Sequence, residues 1–203
     1  DPEAPFVTLP EGDMEMMPDV AICDPLITST MPAHITAQTG MDALTHAVEA
    51  YIGKSNTPAT KRYAEKATKM IFDNLYTAYD TGKDLDARMN MLEASFYAGV
   101  AFTRAYVGYV HAIAHNLGGH YGIPHGLANA VILPYVLDYY GPYAYKKLAK
   151  LAGVSISTVS KAFKDADDVS ADTKQKIFAI AKEYGCYGKF YKSKFHKKSF
   201  AII

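Results

Sequence analysis

With 203 residues, the chain can bury a sizeable core as one or two domains. Its two cysteines, Cys23 and Cys186, make neither a disulfide framework nor a zinc-ribbon spacing, which suits a reducing, cytoplasmic setting. No long uncharged apolar run and no signal-peptide pattern occurs, so neither a membrane span nor secretion is expected.

The zero net charge hides an asymmetry. Residues 1–145 carry 8 Lys and Arg against 16 acids, whereas residues 146–203 carry 13 Lys against 5 acids. A tail this basic suits either a solubilising end or a nucleic-acid footprint. The first residue is Asp1 rather than Met, and a fragment or processed product is expected.

In chain order, Pro2, Pro5, Pro10 and Pro18 argue against a regular helix before Asp19, and residues 20–23 are a short strand candidate. Pro32 sits where a helix tolerates proline, at its first turn, and opens a helical stretch to about Ile52. Further helices are predicted over about 58–80, 85–102, 104–118, 126–138 and 142–152. Their Ala, Met, Leu and Tyr runs mark core faces. Gly118 and Gly119 are expected to break the helix over 104–118. Gly40, Gly99 and Gly108 fall inside helical patterns, where close packing is the simplest reason for them. The result is a mainly α domain whose neighbouring helices project side chains inward, with no internal repeat and no low-complexity tract.

Four residues carry the chemistry. In GMDALTHAVEAY, Asp42 and His46 are one helical turn apart, so carboxylate and imidazole share a face. In HAIAHNLGGHYGIPHGLANA, His111 and His115 are again a turn apart, and a short loop returns His125 ahead of the next helix. One carboxylate and three imidazoles suit a divalent transition metal and can leave a position open for a substrate oxygen. Asp-x3-His pairs also serve as caps or surface hydrogen bonds, and spacing alone leaves both readings standing.

The strings CDPLITSTMP, GMDALTHAVEAY, AGVAFTRAYVGYVHAIAHNLGG and YGIPHGLANAVILPYV give the stretch from about 20 to 140 a long, ordered resemblance. It resembles the C-terminal, metal-binding half of the iron-containing (group III) alcohol dehydrogenases, which have a dehydroquinate-synthase-like fold. The resemblance implies metal ligands at Asp42, His46, His111 and His125. It also implies an additional active-site histidine at His115 and an aromatic pocket position at Phe102. The implied cofactors are Fe(2+), or Zn(2+) in its place, and NAD(P). The implied reaction interconverts a small alcohol and its aldehyde or ketone. The family's nucleotide domain carries a glycine-rich turn, and no GxGxxG or comparable turn occurs in this chain. That domain is expected to be absent, the cofactor-binding residues are unassigned, and the isolated chain is expected to be inactive.

A second resemblance begins where the first ends. Residues 149–185, with the core string AGVSISTVSKA, are similar to the helix-turn-helix headpiece of the lactose-repressor (LacI) family. This implies a first helix ending near Ala152, a turn through Gly153 and Ser155, and a recognition helix over 156–163. Ser170 would cap a third helix. Ser155, Ile156, Ser157, Thr158 and Lys161 would face DNA. The expected organisation is a helical metal-binding domain over 1–148 and a three-helix segment with a basic tail over 149–203.

Two functions from different classes follow. One is a metal-dependent oxidoreductase fragment. The other is a DNA-binding regulator, with weak, sequence-indifferent DNA binding expected from a single headpiece. A homodimer and a cytoplasmic location complete the expectation.

Overall fold

Local capping chemistry sets several helix boundaries in the computed structural model, which describes residues 20–153 and 155–157. Among the described residues seven helices follow one another: α1 (Pro25–Thr28), α2 (Ala33–Ile52), α3 (Pro58–Asp80), α4 (Leu85–Ala105), α5 (Tyr109–Tyr121), α6 (His125–Tyr140) and α7 (Pro142–Ala152). Before α3, the Thr57 hydroxyl accepts from the Thr60 amide and the Thr60 hydroxyl accepts from the Thr57 amide. This reciprocal box, with Pro58 behind it, starts the helix where the sequence predicts. Asp84 opens α4 by accepting from the Ala87 amide at 2.9 Å. Gly153, at a φ of 67°, closes α7 in the left-handed conformation.

Four expectations are corrected. Residues 20–23 form no strand: they have no regular structure, and Val20 and Ile22 are exposed. No strand occurs among the described residues to pair with them. Gly118 and Gly119 do not end α5, which runs on to Tyr121 and stops at Gly122 with a φ of 65°. A helical glycine costs only about 1 kcal/mol, so termination falls to the residue that adopts positive φ. Gly108 lies outside any helix, as the N-cap of α5, and α4 extends to Ala105 before Tyr106 turns the chain at a φ of 63°. Of the other two glycines read as packing sites, Gly40 lies against the Leu75 side chain, whereas Gly99 has open space beside it.

Helix α2 is the centre of the fold and packs against α3, α4, α6 and α7. Leu44, Ala47, Val48 and Tyr51 of α2 join Ala67, Ile71 and Leu75 of α3, Ala94 and Ala98 of α4, and Ile132 and Leu133 of α6 in one core. Each fully buried large aliphatic side chain contributes about 1.5–3 kcal/mol, and the small alanines let α3 and α4 approach closely. A buried Arg88 ties the N-terminal end of α4 to the segment ahead of α2. It donates to Thr36 Oγ1 at 2.7 Å, the Gly82 carbonyl at 3.0 Å and the Met31 carbonyl at 3.3 Å.

Helix α7 passes through the domain boundary expected after residue 148, and Ala149 is buried in the same core as Ala144 and Tyr145. Among the described residues no helix is long and apolar enough to cross a membrane. Most of the repressor-like stretch, including Thr158, Lys161 and Ser170, lies outside the described residues.

Candidate metal centre

Three helices bring the singled-out residues to one place. On α2, Asp42, His46 and Glu49 fall at spacings of four and three, so they share a face. Helix α5 contributes His111 and His115 from its first two turns, and α6 contributes His125 and Asn129 from its first two.

The docking of α6 on α2 depends on Gly126, where a Cβ would run into the backbone carbonyl of Gln38. Only a glycine permits this approach. It carries the preceding residue, His125, up to Asp42.

Asp42 Oδ1 is the hub. It lies 3.3 Å from His111 Nε2, 3.2 Å from His125 Nε2 and 2.7 Å from Asn129 Nδ2. The donor atoms of Asp42, His111 and His125 all lie within 4.8 Å of one another. His46 stands beside this group. Its Nδ1 is 3.9 Å from Asp42 Oδ2. Its ring is stacked between His111, at 4.3 Å between centroids, and Phe102, at 4.2 Å. His115 is exposed, with its ring stacked on His125 at 5.0 Å.

The electrostatics follow from crowding these groups out of water. Burial pushes the His46 imidazole down to about 4, and the neighbouring Asp42 charge only partly opposes it. Burial also works against a charged His111, but the hydrogen bonds and charges of Asp42 and Glu49 outweigh it and hold that imidazole up at about 9. Burial would raise the Asp42 carboxyl, yet the hydrogen bond from His111 and the surrounding histidines bring it below its ordinary range.

Glu49 and Asn129 are the residues the sequence analysis missed. Glu49 is buried, and its Oε2 lies 2.6 Å from His111 Nδ1 while its Oε1 accepts from the Val110 amide at 2.9 Å. Asn129 is wholly buried. Its Nδ2 points at Asp42, at His125 Nε2 (3.0 Å) and at His111 Nε2 (3.3 Å), and its Oδ1 has no hydrogen-bond partner. Their spacings were available as a signal, because Glu49 is seven residues after Asp42 and Asn129 is four after His125.

The donor chemistry fits a divalent transition metal. A carboxylate and two imidazoles converge from separate helices with a third imidazole adjacent, and such a set suits iron or zinc. The convergence of acceptor lone pairs around an amide with an unpaired carbonyl is a local cost. A cation held by Asp42, His111 and His125 would satisfy those converging acceptors.

Residues 36–203 match the family described as Fe-containing alcohol dehydrogenase family, C-terminal. The chain belongs to that family. It is 50% identical to 1,3-propanediol dehydrogenase of Klebsiella pneumoniae over 147 residues, 71% of this chain and 38% of that protein. It is 37% identical to NADPH-dependent butanol dehydrogenase of Clostridium saccharobutylicum over 194 residues, 93% of this chain and 49% of that protein. A solved structure of 1,3-propanediol oxidoreductase superposes with a TM-score of 0.64 at 44% identity, covering 79% of this chain and 40% of that one. The chain therefore spans less than half the length of these relatives, and its helices match the family's helical C-terminal part. The family match extends through the stretch read as a repressor headpiece. Of the residues expected to face DNA, Ser155, Ile156 and Ser157 are exposed, with the two serine hydroxyls 2.8 Å apart.

Proposed function

We propose that this chain is the metal-binding part of an NAD(P)-linked dehydrogenase that interconverts a small alcohol and its aldehyde or ketone. One observation carries the reading: Asp42 Oδ1, His111 Nε2 and His125 Nε2, from three different helices, point at one another. Asp42, His111 and His125 hold the ion, with His46 as the fourth ligand. A divalent ion bound there supplies Lewis acidity toward the oxygen of the substrate.

Oxidation of an alcohol releases a hydride to the nicotinamide and a proton to a base. His115 is the exposed imidazole beside His125, and it takes that proton or steadies the nicotinamide. Phe102, stacked on His46, forms an apolar wall that shapes the pocket and keeps water from it. The names of the relatives, propanediol and butanol dehydrogenases, support a short, unbranched alcohol. Hydride transfer needs both reactants held at reacting distance, so the chain alone turns over very little alcohol even when metal-loaded.

The test is metal content. After chelator treatment and reloading with Zn(II), the protein should bind one ion, and His111→Ala should lose it under a competing chelator. Full stoichiometry in that variant, or none in the wild type, would overturn the assignment. Nothing on residues 155–157 favours a DNA-binding function over this one.

A further inference from the structure

Glu49 is a charged side chain of α2 buried against the start of α5, with only 2% of its surface exposed. A carboxylate in such a place is costly unless each oxygen is satisfied. Here each oxygen is. Oε1 takes the Val110 amide, one of the unpaired N–H groups at the start of α5. Oε2 takes His111 Nδ1 at 2.6 Å.

The backbone is shaped around this carboxylate. A Cβ at Gly108 would lie 2.7 Å from Oε1 and 3.3 Å from the carboxyl carbon, so a side chain there would displace the acid. An imidazole that donates Nδ1–H to a fixed acceptor keeps Nε2 free of its own proton in the neutral ring, and that nitrogen points toward Asp42 and His125.

We infer that Glu49 is the positioning carboxylate of the metal centre, fixing the orientation and tautomer of His111 through Nδ1, and that Gly108 leaves it the room. The inference rests on the metal-binding function proposed above and adds a residue to it. Glu49 lies beyond His111 from the donor group, so it acts through that ring. A carboxylate behind a metal-bound histidine holds the ring in register and raises its basicity, and losing such a partner typically costs ten- to a hundredfold in metal affinity. The rival role for Glu49 is to cap α5 by accepting from Val110 alone. That role would affect helix stability and leave metal geometry untouched.

The experiment loads the full chain with Co(II) and Zn(II). It compares wild type, Glu49→Gln and Gly108→Ala by chelator competition and by the visible absorption of the Co(II) form. Gln matches the acid in size but has one acceptor oxygen for two donors and carries no charge. Glu49→Gln should still bind one ion, with affinity lowered about ten- to a hundredfold and with shifted Co(II) bands. Gly108→Ala alters no polar group, yet it should reproduce the spectral shift with a smaller affinity loss, and it decides the question if Glu49→Gln does not fold. Affinity within threefold of wild type together with an unchanged Co(II) spectrum in the folded variant would overturn the inference and leave Glu49 a helix cap. Failure of the wild type itself to bind an ion would instead overturn the metal reading on which the inference stands.

Discussion

Adding one methyl group at Gly126 should both destabilise the fold and loosen the metal centre. In Gly126→Ala the new Cβ would lie 2.5 Å from the Gln38 carbonyl carbon and 3.0 Å from its Cα, and closer still to its oxygen. Comfortable separations are about 3.5–4.0 Å, so the start of α6 must back away from α2 by about 1 Å. Neither partner can yield by rotating a side chain, because both are backbone.

Overpacking of this kind costs about 1–3 kcal/mol, which lowers the melting temperature by about 2–12 °C in a chain of this size. Gln38 lies one turn before Asp42, and Gly126 follows His125. The same displacement therefore opens the 3.2 Å approach of His125 Nε2 to Asp42 Oδ1. Thermal unfolding followed by circular dichroism, with and without Zn(II), reads both effects. The melting point should fall, and the stabilisation conferred by a fixed excess of Zn(II) should shrink as affinity falls. Gly99→Ala is the matched control. Its Cβ meets open space within α4, and it should stabilise by about 0.5–1 kcal/mol through helix propensity. A Gly126→Ala protein with wild-type melting and a wild-type Zn(II) shift would refute the steric argument.

Three further outcomes follow from the structure. Arg88→Met should destabilise by about 2–4 kcal/mol in urea denaturation, because it leaves the buried Thr36 hydroxyl without the guanidinium that it accepts from at 2.7 Å; a change under 1 kcal/mol would show those bonds to be replaceable. Tyr106→Gly should stabilise by about 0.5–2 kcal/mol, since a half-exposed tyrosine at a φ of 63° and ψ of 173° holds a strained backbone that glycine adopts freely; a lower melting point would place the Tyr106 side chain among the structural contacts. Chelator-treated protein should be most stable near pH 6.5. His111, held up at about 9, contributes stability that is complete below its unfolded value of 6.5 and is lost as pH rises toward 9. His46, pushed down to about 4, resists protonation in the folded state, so stability also falls as pH drops from 6.5 toward 4. Each limb is worth about 3 kcal/mol at its far end. Urea midpoints at pH 4.5, 6.5 and 9 check this, and a midpoint at pH 9 equal to that at 6.5 would contradict the alkaline limb.

What the sequence determined by itself was everything that depends on neighbours a few residues apart. Helices α3 and α7 begin and end where the sequence predicts, because Thr57–Thr60, Pro58, Pro142 and Gly153 act within one turn. The pairs Asp42–His46 and His111–His115 share faces for the same reason. The tertiary structure decided what depends on residues far apart in the chain. It left residues 20–23 without a strand partner and stacked His46 between His111 and Phe102. It also made Glu49 and Asn129 part of the site, through hydrogen bonds to residues 62 and 87 positions away. Helical spacing puts Glu49 on the face of Asp42 and Asn129 on that of His125, but it does not say which distant residue each will bond. Those bonds exist only because the apolar faces of α2, α5 and α6 pack together, and because Gly108 and Gly126 are small enough to let them close.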